Sequence, residues 1–194
     1  MKDYLQPDFY RFNQDSIELV RWVSTQIKSA RRILDLGAGC GVIGLELARA
    51  LHPEQLTLVE VQGAFGPYLE ENLKIFLPNR PGVRIDLMSF QDWTPDARYD
   101  LIVSNPPYYL PGHGEASQCQ QRGICRTFHI DGWEILLELI SKSLSSDGHA
   151  FISVKNDFRI LELIRKLVVR LNLRLKEGQV RDLVFCELTS LNIE

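Results

Sequence analysis

Short apolar runs alternate with longer segments of helical periodicity along the chain. Apolar runs of about four to eight residues are typical of buried strands, and apolar residues spaced by three or four positions are typical of amphipathic helices. The runs predict strands at 31–36 (RRILDL), 56–60 (LTLVE), 83–88 (VRIDLM), 99–105 (YDLIVSN) and 148–155 (GHAFISVK). The helical segments are VIGLELARAL from Val42, FGPYLEENLKIFL ended by Pro78, and WEILLELISKSL after a long polar loop that reaches about Ile130.

The end of the chain has a different pattern. DFRILELIRKLVVRL predicts one more helix, and LRLKEGQVRDLVFCELTS predicts two antiparallel strands that turn near Gly178. Strands that alternate with helices are joined by right-handed crossovers into a parallel sheet covered on both faces. The sequence therefore predicts an α/β fold, a doubly wound, mostly parallel seven-stranded sheet with a C-terminal antiparallel hairpin. Ligands of such sheets bind at the carboxyl ends of the strands.

Length and composition favour one domain. With 194 residues, 45% of them apolar and 24% charged, the chain is expected to form a single globular domain over 1–194. It has no apolar run near the roughly 18 residues of a membrane span, and its start lacks the features of a signal peptide. We therefore expect a cytoplasmic protein. A monomer is favoured, although the sequence does not decide the oligomeric state.

The four cysteines are widely spaced, so free thiols are expected in a chain of this kind. A zinc site made of His113, Cys119, Cys125 and His129 is the alternative. Its gaps are longer than the tight spacings of structural zinc sites. No metal is expected.

The charge is unevenly distributed. The net charge of −3 argues against a uniformly basic nucleic-acid-binding surface. From Lys155 onward, 8 Lys and Arg stand against 6 Asp and Glu, or +2, whereas the preceding residues have 14 against 19, or −5. The basic end is either an edge that faces phosphates or the solvated face of a helix. Its basic residues are Lys155, Arg159, Arg165, Lys166, Arg170, Arg174, Lys176 and Arg181.

A glycine-rich turn, DLGAGCGVIG, lies where the first strand meets the first helix. Its glycines allow a ligand to approach the backbone and the free N–H groups of a helix start. Gly39 and Glu60, 21 residues apart, also fit the pattern of a nicotinamide enzyme. Asp35 favours S-adenosylmethionine, because its carboxylate would repel a pyrophosphate and attract a cationic aminoacyl tail. Gln62 either faces the ribose or adenine or belongs to the plain surface.

The segment SNPPYY follows the fourth strand at once. A residue before a proline is restricted to extended conformations, so Asn105 and Pro106 form a stiff turn. Stiffness fixes the amide oxygen of Asn105 and a neighbouring backbone carbonyl, and two such acceptors can converge on one amine. Exocyclic amines are poor nucleophiles until acceptors draw their N–H groups toward tetrahedral geometry, so the segment suits N-methylation. Tyr108 would stack on the flat group, a contact worth about 1 to 3 kcal/mol.

With DLGAGCG, VE at 59–60 and SNPPYY in this order, the chain resembles class I S-adenosylmethionine-dependent methyltransferases that methylate amino groups. The segment YRFNQDSIELVRWV, at 10–23, resembles the F-x-x-D-S start of methyltransferase small domain proteins of the tRNA adenine N6-methyltransferase type. The resemblance implies that the helical segment 1–30 covers the cofactor with Phe12, Asp15 and Ser16. A helix N-cap at Asp15 or Ser16 explains much of the same pattern.

Carried over by position, the resemblance implies a reaction site and a cofactor site. The implied catalytic residues are Asn105, Pro106, Pro107 and Tyr108. The implied cofactor-binding residues are Phe12, Asp15, Asp35, Gly37, Ala38, Gly39, Gly41, Glu60, Val61, Ser89, Phe90 and Asn105.

The chain departs from the family pattern at two places. Relatives commonly carry an acid after the third strand for the adenine, whereas this chain has Ser89 there and Asp92 three residues on. Relatives also carry a basic residue and a His-Glu pair after the substrate loop; here Arg126 and a His-Ile pair stand at these positions. A surface role is expected for His129. The loop 110–130, with its arginines at 122 and 126, would guide the substrate.

The resemblance implies N6-methylation of an adenine in structured RNA, foremost tRNA. The motif alone leaves protein glutamine, rRNA and DNA adenine as alternatives, because each presents a planar NH2 group. A nucleotide-binding module without catalysis is a further alternative.

Overall fold

Residues 3–78, 82–108, 119–125 and 127–191 are described by the structure, a computed structural model. The strands are β1 Arg32–Leu36, β2 Gln55–Glu60, β3 Val83–Leu87, β4 Tyr99–Ser104, β5 Leu144–Lys155, β6 Leu173–Val180 and β7 Leu183–Ser190. The helices are α1 Gln14–Gln26, α2 Val42–Leu51, α3 Gly66–Phe76, α4 Gln120–Ile124, α5 Ile130–Ser143 and α6 Phe158–Arg170, with a 3-10 turn at Gly63–Phe65.

The strands form one seven-stranded sheet in the order β3-β2-β1-β4-β5-β7-β6. β1 to β5 pair in parallel, and β7 pairs antiparallel with both β5 and β6. The predicted α/β fold, with a mostly parallel sheet and a C-terminal antiparallel hairpin, is confirmed. The strand order reverses between β1 and β4, and open α/β sheets bind ligands at such a switch point.

Helices cover both faces of the sheet, and each face has its own apolar core. One core lies under α1, α2 and α3 and includes Leu19, Leu45 and Phe65. The other lies under α5 and α6 and includes Trp133 and Ile164. Strands buried on both faces need continuous apolar runs, which explains why the strand signal in this sequence is a run rather than an alternation.

Asn72 fastens the N-terminal segment to α3. Its fully buried side chain accepts the N–H of Leu5 at 2.9 Å and donates to the carbonyl oxygens of Leu5 and Cys40 at 2.8 and 2.9 Å. Tyr4 stacks on Phe76 with ring centroids 4.1 Å apart. The segment before α1 is therefore part of the folded core.

The N-cap of α1 differs from the prediction. Asn13 is the cap, because its side-chain oxygen accepts the N–H of Asp15 at 3.1 Å. Asp15 and Ser16 lie inside the helix, so the prediction that one of them is the cap is wrong. Ser16 is buried instead and points to the site.

The hairpin turns at 181–182 and not near Gly178, because β6 continues to Val180, which pairs with Leu183. Gly178 lies within the strand, where a Cβ atom would be 2.1 Å from the indole ring of Trp22. This glycine makes room for α1 rather than for a turn. Helix α4 also falls in the segment predicted to be a loop. Within the described residues, no helix is long and apolar enough to span a bilayer.

Candidate active site

The glycine-rich turn joins β1 to α2 at the carboxyl end of the sheet. Gly37, Gly39 and Gly41 have φ angles of 78, 56 and 88°, in the left-handed region that favours glycine. Gly44, one turn into α2, lies so close to β1 that a Cβ atom would be 2.9 Å from Asp35 Oδ2. The missing side chain lets the N–H of Gly44 donate to that oxygen at 2.8 Å.

Asp35 is fully buried beneath the turn. Its Oδ1 atom has no hydrogen-bond partner among the residues that the structure describes. Burial raises the pKa of Asp35 to about 7; the N–H of Gly44 opposes this shift, and the nearby charge of Glu60 adds to it. Both oxygens of Asp35 are enclosed, so its charge lies directly beneath the backbone of the turn.

Glu60, at the end of β2, holds the turn in place. Its Oε2 accepts the N–H of Gly39 at 2.8 Å, and its Oε1 accepts the N–H of Gln62 at 2.9 Å. The pKa of Glu60 lies above its usual value because burial outweighs the opposing effect of the N–H donors of Gln62, Gly39 and Val61. The carboxylate thereby ties the β1–α2 turn to the turn after β2.

Asn105 follows β4 directly. Its Nδ2 donates to Ser16 Oγ of α1 at 3.1 Å. Its Oδ1 accepts from the hydroxyl of Tyr108 at 2.6 Å and from the hydroxyl of Ser153, the third-last residue of β5. Three hydroxyl groups from three separate segments thus hold one amide. We call this group, with the two prolines between Asn105 and Tyr108, the acceptor corner.

The acceptor corner is joined to the glycine turn through neighbouring strands. Ser104 and Leu36, the last residues of β4 and β1, are paired across the sheet, and Ser104 Oγ donates to the carbonyl oxygen of Leu36 at 2.7 Å. The next residues along the chain are Asn105 and Gly37. The sheet therefore brings together the two motifs that the sequence predicts.

Tyr108 lies across the end of β5. Burial is the main reason why the pKa of its hydroxyl lies well above the usual value, so the group is a neutral donor. Lys155 Nζ lies 5.4 Å from the centroid of the Tyr108 ring and pairs with Asp182 at 2.5 Å. The ring is half-buried, with a cation beside it.

The family model described as methyltransferase small domain matches residues 12–127, which is more than half of the chain. The chain belongs to the methyltransferase small domain family. A family relative from Tolumonas auensis, named tRNA1(Val) (adenine(37)-N6)-methyltransferase, is 37% identical over 139 residues, 69% of this chain and 54% of the relative. A protein of the same name from Shewanella putrefaciens is 28% identical over 186 residues, 91% of this chain and 76% of the relative.

The chain spans about half the length of several of the curated relatives that it matches. Among solved structures, a putative RNA methyltransferase from Pyrococcus horikoshii has a TM-score of 0.70 at 16% identity, covering 98% of this chain and 93% of that one. At this identity the likeness shows the fold alone. The predicted resemblance to the methyltransferase small domain family is confirmed.

In this family member, the N-terminal segment lies against the turn after β2. Phe9 and Tyr10 contact Phe65 edge-on, with ring centroids 5.4 and 5.9 Å apart. Phe12 makes an edge contact with Tyr4 at 6.0 Å. A Cβ atom on Gly39 would lie 3.9 Å from Phe65, so the aromatic cluster borders the glycine turn. The segment covers this side of the turn. Asp15, at the start of α1, accepts from Asn13 Nδ2 and also interacts with the hydroxyl of Tyr108.

Helix α4 and its C-cap add a second cover that the sequence did not predict. Gln62 Nε2 donates to Cys125 Sγ at 3.0 Å, so Gln62 is not plain surface, and its buried Oε1 has no hydrogen-bond partner among the described residues. Arg122 Nε donates to the carbonyl oxygen of Phe9 at 2.9 Å. The helix thus joins the N-terminal segment to the turn after β2. The residues that form this cover are far apart in the sequence, so no local sequence pattern could have indicated it.

The residues after β3 lie at the same edge of the sheet. Ser89 is half-buried; its hydroxyl accepts the N–H of Gln91 at 3.2 Å. Phe90 contacts Phe128 edge-on at 5.9 Å, whereas Asp92 is exposed. The geometry places Ser89 nearer the core than Asp92.

The remaining predicted positions lie on the surface or outside the described residues. His129 is exposed and precedes α5, and its carbonyl oxygen accepts the N–H of Gly132 at 3.0 Å. His113, Arg126 and the rest of 109–118 lie outside the described residues. None of the four cysteines forms a disulfide within the described residues, and no group of three or more metal-ligating side chains occurs there.

Most of the basic residues of the C-terminal end are ion-paired. Six of the eight form salt bridges within the described residues, which favours the solvated-face interpretation over a phosphate-facing edge. The pairs are Lys155–Asp182, Arg159–Asp157, Arg165–Glu177, Arg170–Glu138, Lys176–Glu187 and Arg181–Glu18.

Proposed function

We propose that the chain is an S-adenosylmethionine-dependent methyltransferase that methylates the exocyclic N6 amine of an adenine in tRNA. The observation that carries the proposal is the position of Asn105: its amide stands at the end of β4, directly beside the glycine turn that ends β1. A methyl donor seated at the turn and an amine seated at the acceptor corner would be neighbours.

The residues at the glycine turn fit S-adenosylmethionine. The turn exposes backbone at the start of α2, and Glu60, which accepts from three N–H groups, keeps acceptor capacity for a ribose hydroxyl. The buried charges of Asp35 and Glu60 favour a cationic ligand and oppose a pyrophosphate. When bound, the cofactor supplies an electrophilic methyl group on a sulfonium. Val61, Ser89 and Phe90 would border its adenine, and Phe12 and Asp15 would belong to the N-terminal cover.

The acceptor corner supplies what the amine needs. Asn105 Oδ1 and the carbonyl oxygen of Pro106 would accept its two N–H groups and draw the nitrogen lone pair toward the methyl donor. Neither Pro106 nor Pro107 has an N–H that could compete for these acceptors. Tyr108 would stack on the base. Alignment at about 3 to 3.5 Å and preorganised acceptors would then lower the barrier without a strong general base.

The choice of tRNA rests on the relatives, which carry the name tRNA1(Val) (adenine(37)-N6)-methyltransferase. A base inside a stacked loop would have to swing out to reach the corner. The corner alone would also admit the amines of rRNA, DNA or protein glutamine. A cytoplasmic location, where tRNA is found, belongs to the same proposal.

One experiment ranks these acceptors. The purified protein is incubated with S-adenosylmethionine carrying a labelled methyl group and, in separate reactions, with unmodified tRNA, rRNA, DNA and protein. We expect label in tRNA, recovered as N6-methyladenosine after digestion. Label in another pool would replace tRNA as the substrate, and no label in any pool, despite cofactor binding by calorimetry, would favour a binding module.

A further inference from the structure

Asn105 Oδ1 is already occupied in the structure. A carbonyl oxygen has two lone pairs, and here they accept from the hydroxyls of Tyr108 and Ser153. The proposed amine needs one of these lone pairs. Substrate binding therefore requires that one hydroxyl leave the amide oxygen.

The two hydroxyls differ in access. Ser153 is completely buried between β4 and β7, so no substrate can approach from its side. Tyr108 is half-buried and borders the open end of the sheet. The incoming amine must therefore displace the hydroxyl of Tyr108 and leave that of Ser153 in place.

The displaced hydroxyl has a fully buried partner within reach, Ser153, in addition to the half-buried carboxylate of Asp15. Tyr108 OH lies 3.3 Å from Ser153 Oγ, and a serine hydroxyl can accept one hydrogen bond while it donates another. We propose that Ser153 is a positioning residue: it accepts the Tyr108 hydroxyl when the substrate amine takes its place on Asn105. This inference rests on the proposed function of the acceptor corner.

The exchange conserves hydrogen bonds. Before binding, Tyr108 and Ser153 both donate to Asn105; afterwards the amine and Ser153 donate to Asn105, and Tyr108 donates to Ser153. No buried hydroxyl is left without a partner, which would otherwise oppose binding. Ser16 cannot do this, because it lies at the other end of the amide, on Nδ2.

The test is a double-mutant cycle on the rate of methyl transfer to tRNA. Ser153→Ala removes the buried alternative partner, so the Tyr108 hydroxyl competes more strongly with the amine for Asn105. We expect kcat/KM for tRNA to fall by about 10- to 100-fold while cofactor affinity is unchanged. In the Tyr108→Phe background no hydroxyl competes, and the same change at Ser153 should cost less than about 3-fold.

Ser143→Ala is the matched control. Ser143 is also completely buried, but its hydroxyl donates to the carbonyl oxygen of Leu139 in its own helix, so its removal should leave transfer unchanged. If Ser153→Ala does not fold, Ser153→Cys replaces it, because a thiol keeps the volume but is a poor hydrogen-bond partner.

The outcomes separate the two proposals. An equal loss in both Tyr108 backgrounds would mean that Ser153 only supports the structure, and full activity of Ser153→Ala would mean that it has no role; either result overturns the exchange. Absence of transfer by the unaltered protein would contradict the proposed function and the exchange together.

Discussion

The glycine turn and the acceptor corner lie side by side at the end of the sheet but are built differently. At the turn, two buried carboxylates, Asp35 and Glu60, are held by backbone N–H groups. At the corner, the neutral amide of Asn105 is held by side-chain hydroxyls. Buried negative charge stabilises a cationic methyl donor. Neutral acceptors, in contrast, can bind the N–H groups of an amine without favouring its protonated form. The difference matches the two partners of an amine methylation.

The largest expected effect comes from Asn105→Ala, which removes the corner and leaves the turn intact. Methyl transfer should fall by about 10³-fold, because an acceptor used mainly in the transition state is lost. Cofactor affinity should stay within about 3-fold. Single-turnover transfer and calorimetry measure the two quantities. Asn156→Ala, at an exposed asparagine just after β5, is the control. If Asn105→Ala lowers methyl transfer by less than about 10-fold, the catalytic role proposed for Asn105 is refuted.

Glu60→Gln should have the opposite signature. The amide places an NH2 group against the N–H of Gly39 or Gln62, so the turn loses one of its two bonds. We expect cofactor affinity to fall by about 10- to 100-fold, with a smaller change in transfer once the cofactor is saturating. Glu70→Gln, at an exposed glutamate of α3, serves as the control in the same titration. Unchanged affinity would mean that the turn does not hold the cofactor.

Asp35→Asn tests the charge beneath the turn through stability. The pKa of Asp35 rises from 3.8 to about 7 on folding. The folded state binds this proton more tightly than the unfolded state does. The contribution of protonated Asp35 to the free energy of unfolding is therefore fully present below pH 4 and is lost as the pH rises through about 7. By pH 8 the loss is on the order of 2 to 4 kcal/mol. Asparagine can still accept the N–H of Gly44, so the ligand-free variant should be the more stable form at pH 8.

Melting temperatures of both forms between pH 5 and pH 8.5 measure this difference. The gap should be smallest near pH 5, widen up to about pH 7 and level off above it. A constant gap would show that Asp35 is ionised without cost, and the contrast between the charged turn and the neutral corner would then be weaker.

Gly178→Ala should have the smallest effect on methyl transfer, because it would disturb the acceptor corner only indirectly. The new methyl group would meet Trp22 of α1, the helix that also carries Ser16. We expect a loss of about 1 to 3 kcal/mol in unfolding free energy and a loss of transfer of a few fold, with cofactor affinity unchanged. Gly123→Ala, where a Cβ atom has no neighbour within 4 Å, is the control for denaturant unfolding. Weaker cofactor binding would show that α1 supports the turn as well.

The turn could be predicted from sequence because its parts are close together and follow regular patterns. The apolar runs predicted the sheet. The interval from Gly39 to Glu60 fitted a ribose-binding acid, and the structure adds that this carboxylate accepts the N–H of Gly39. Asn105 could be placed for the same reason, since it ends a predicted strand. In each case the decisive interaction follows from strand order.

The surroundings of Asn105 could not be predicted in this way. Ser16 and Ser153 lie 89 and 48 residues from it. Ser16 belongs to the F-x-x-D-S segment, but that pattern does not indicate its contact with Asn105, and Ser153 belongs to no recognisable pattern. The sequence pattern around Gly178 predicts a turn because the contact that requires a glycine there, with Trp22, is also distant in the sequence. Sequence patterns reflect local structural requirements, whereas these residues are determined by contacts with side chains that are distant in the sequence and close only in the folded chain.

Because Ser153 lies far after the glycine turn in the sequence, the ribosome synthesises these two parts of the site at different times. The two carboxylates of the glycine turn and the N–H groups that they accept have been synthesised by Gln62, whereas the last hydroxyl of the corner comes 91 residues later. At about 5 to 20 residues per second this interval is roughly 5 to 18 s. A nascent chain could therefore shape its donor pocket well before it is able to receive an amine.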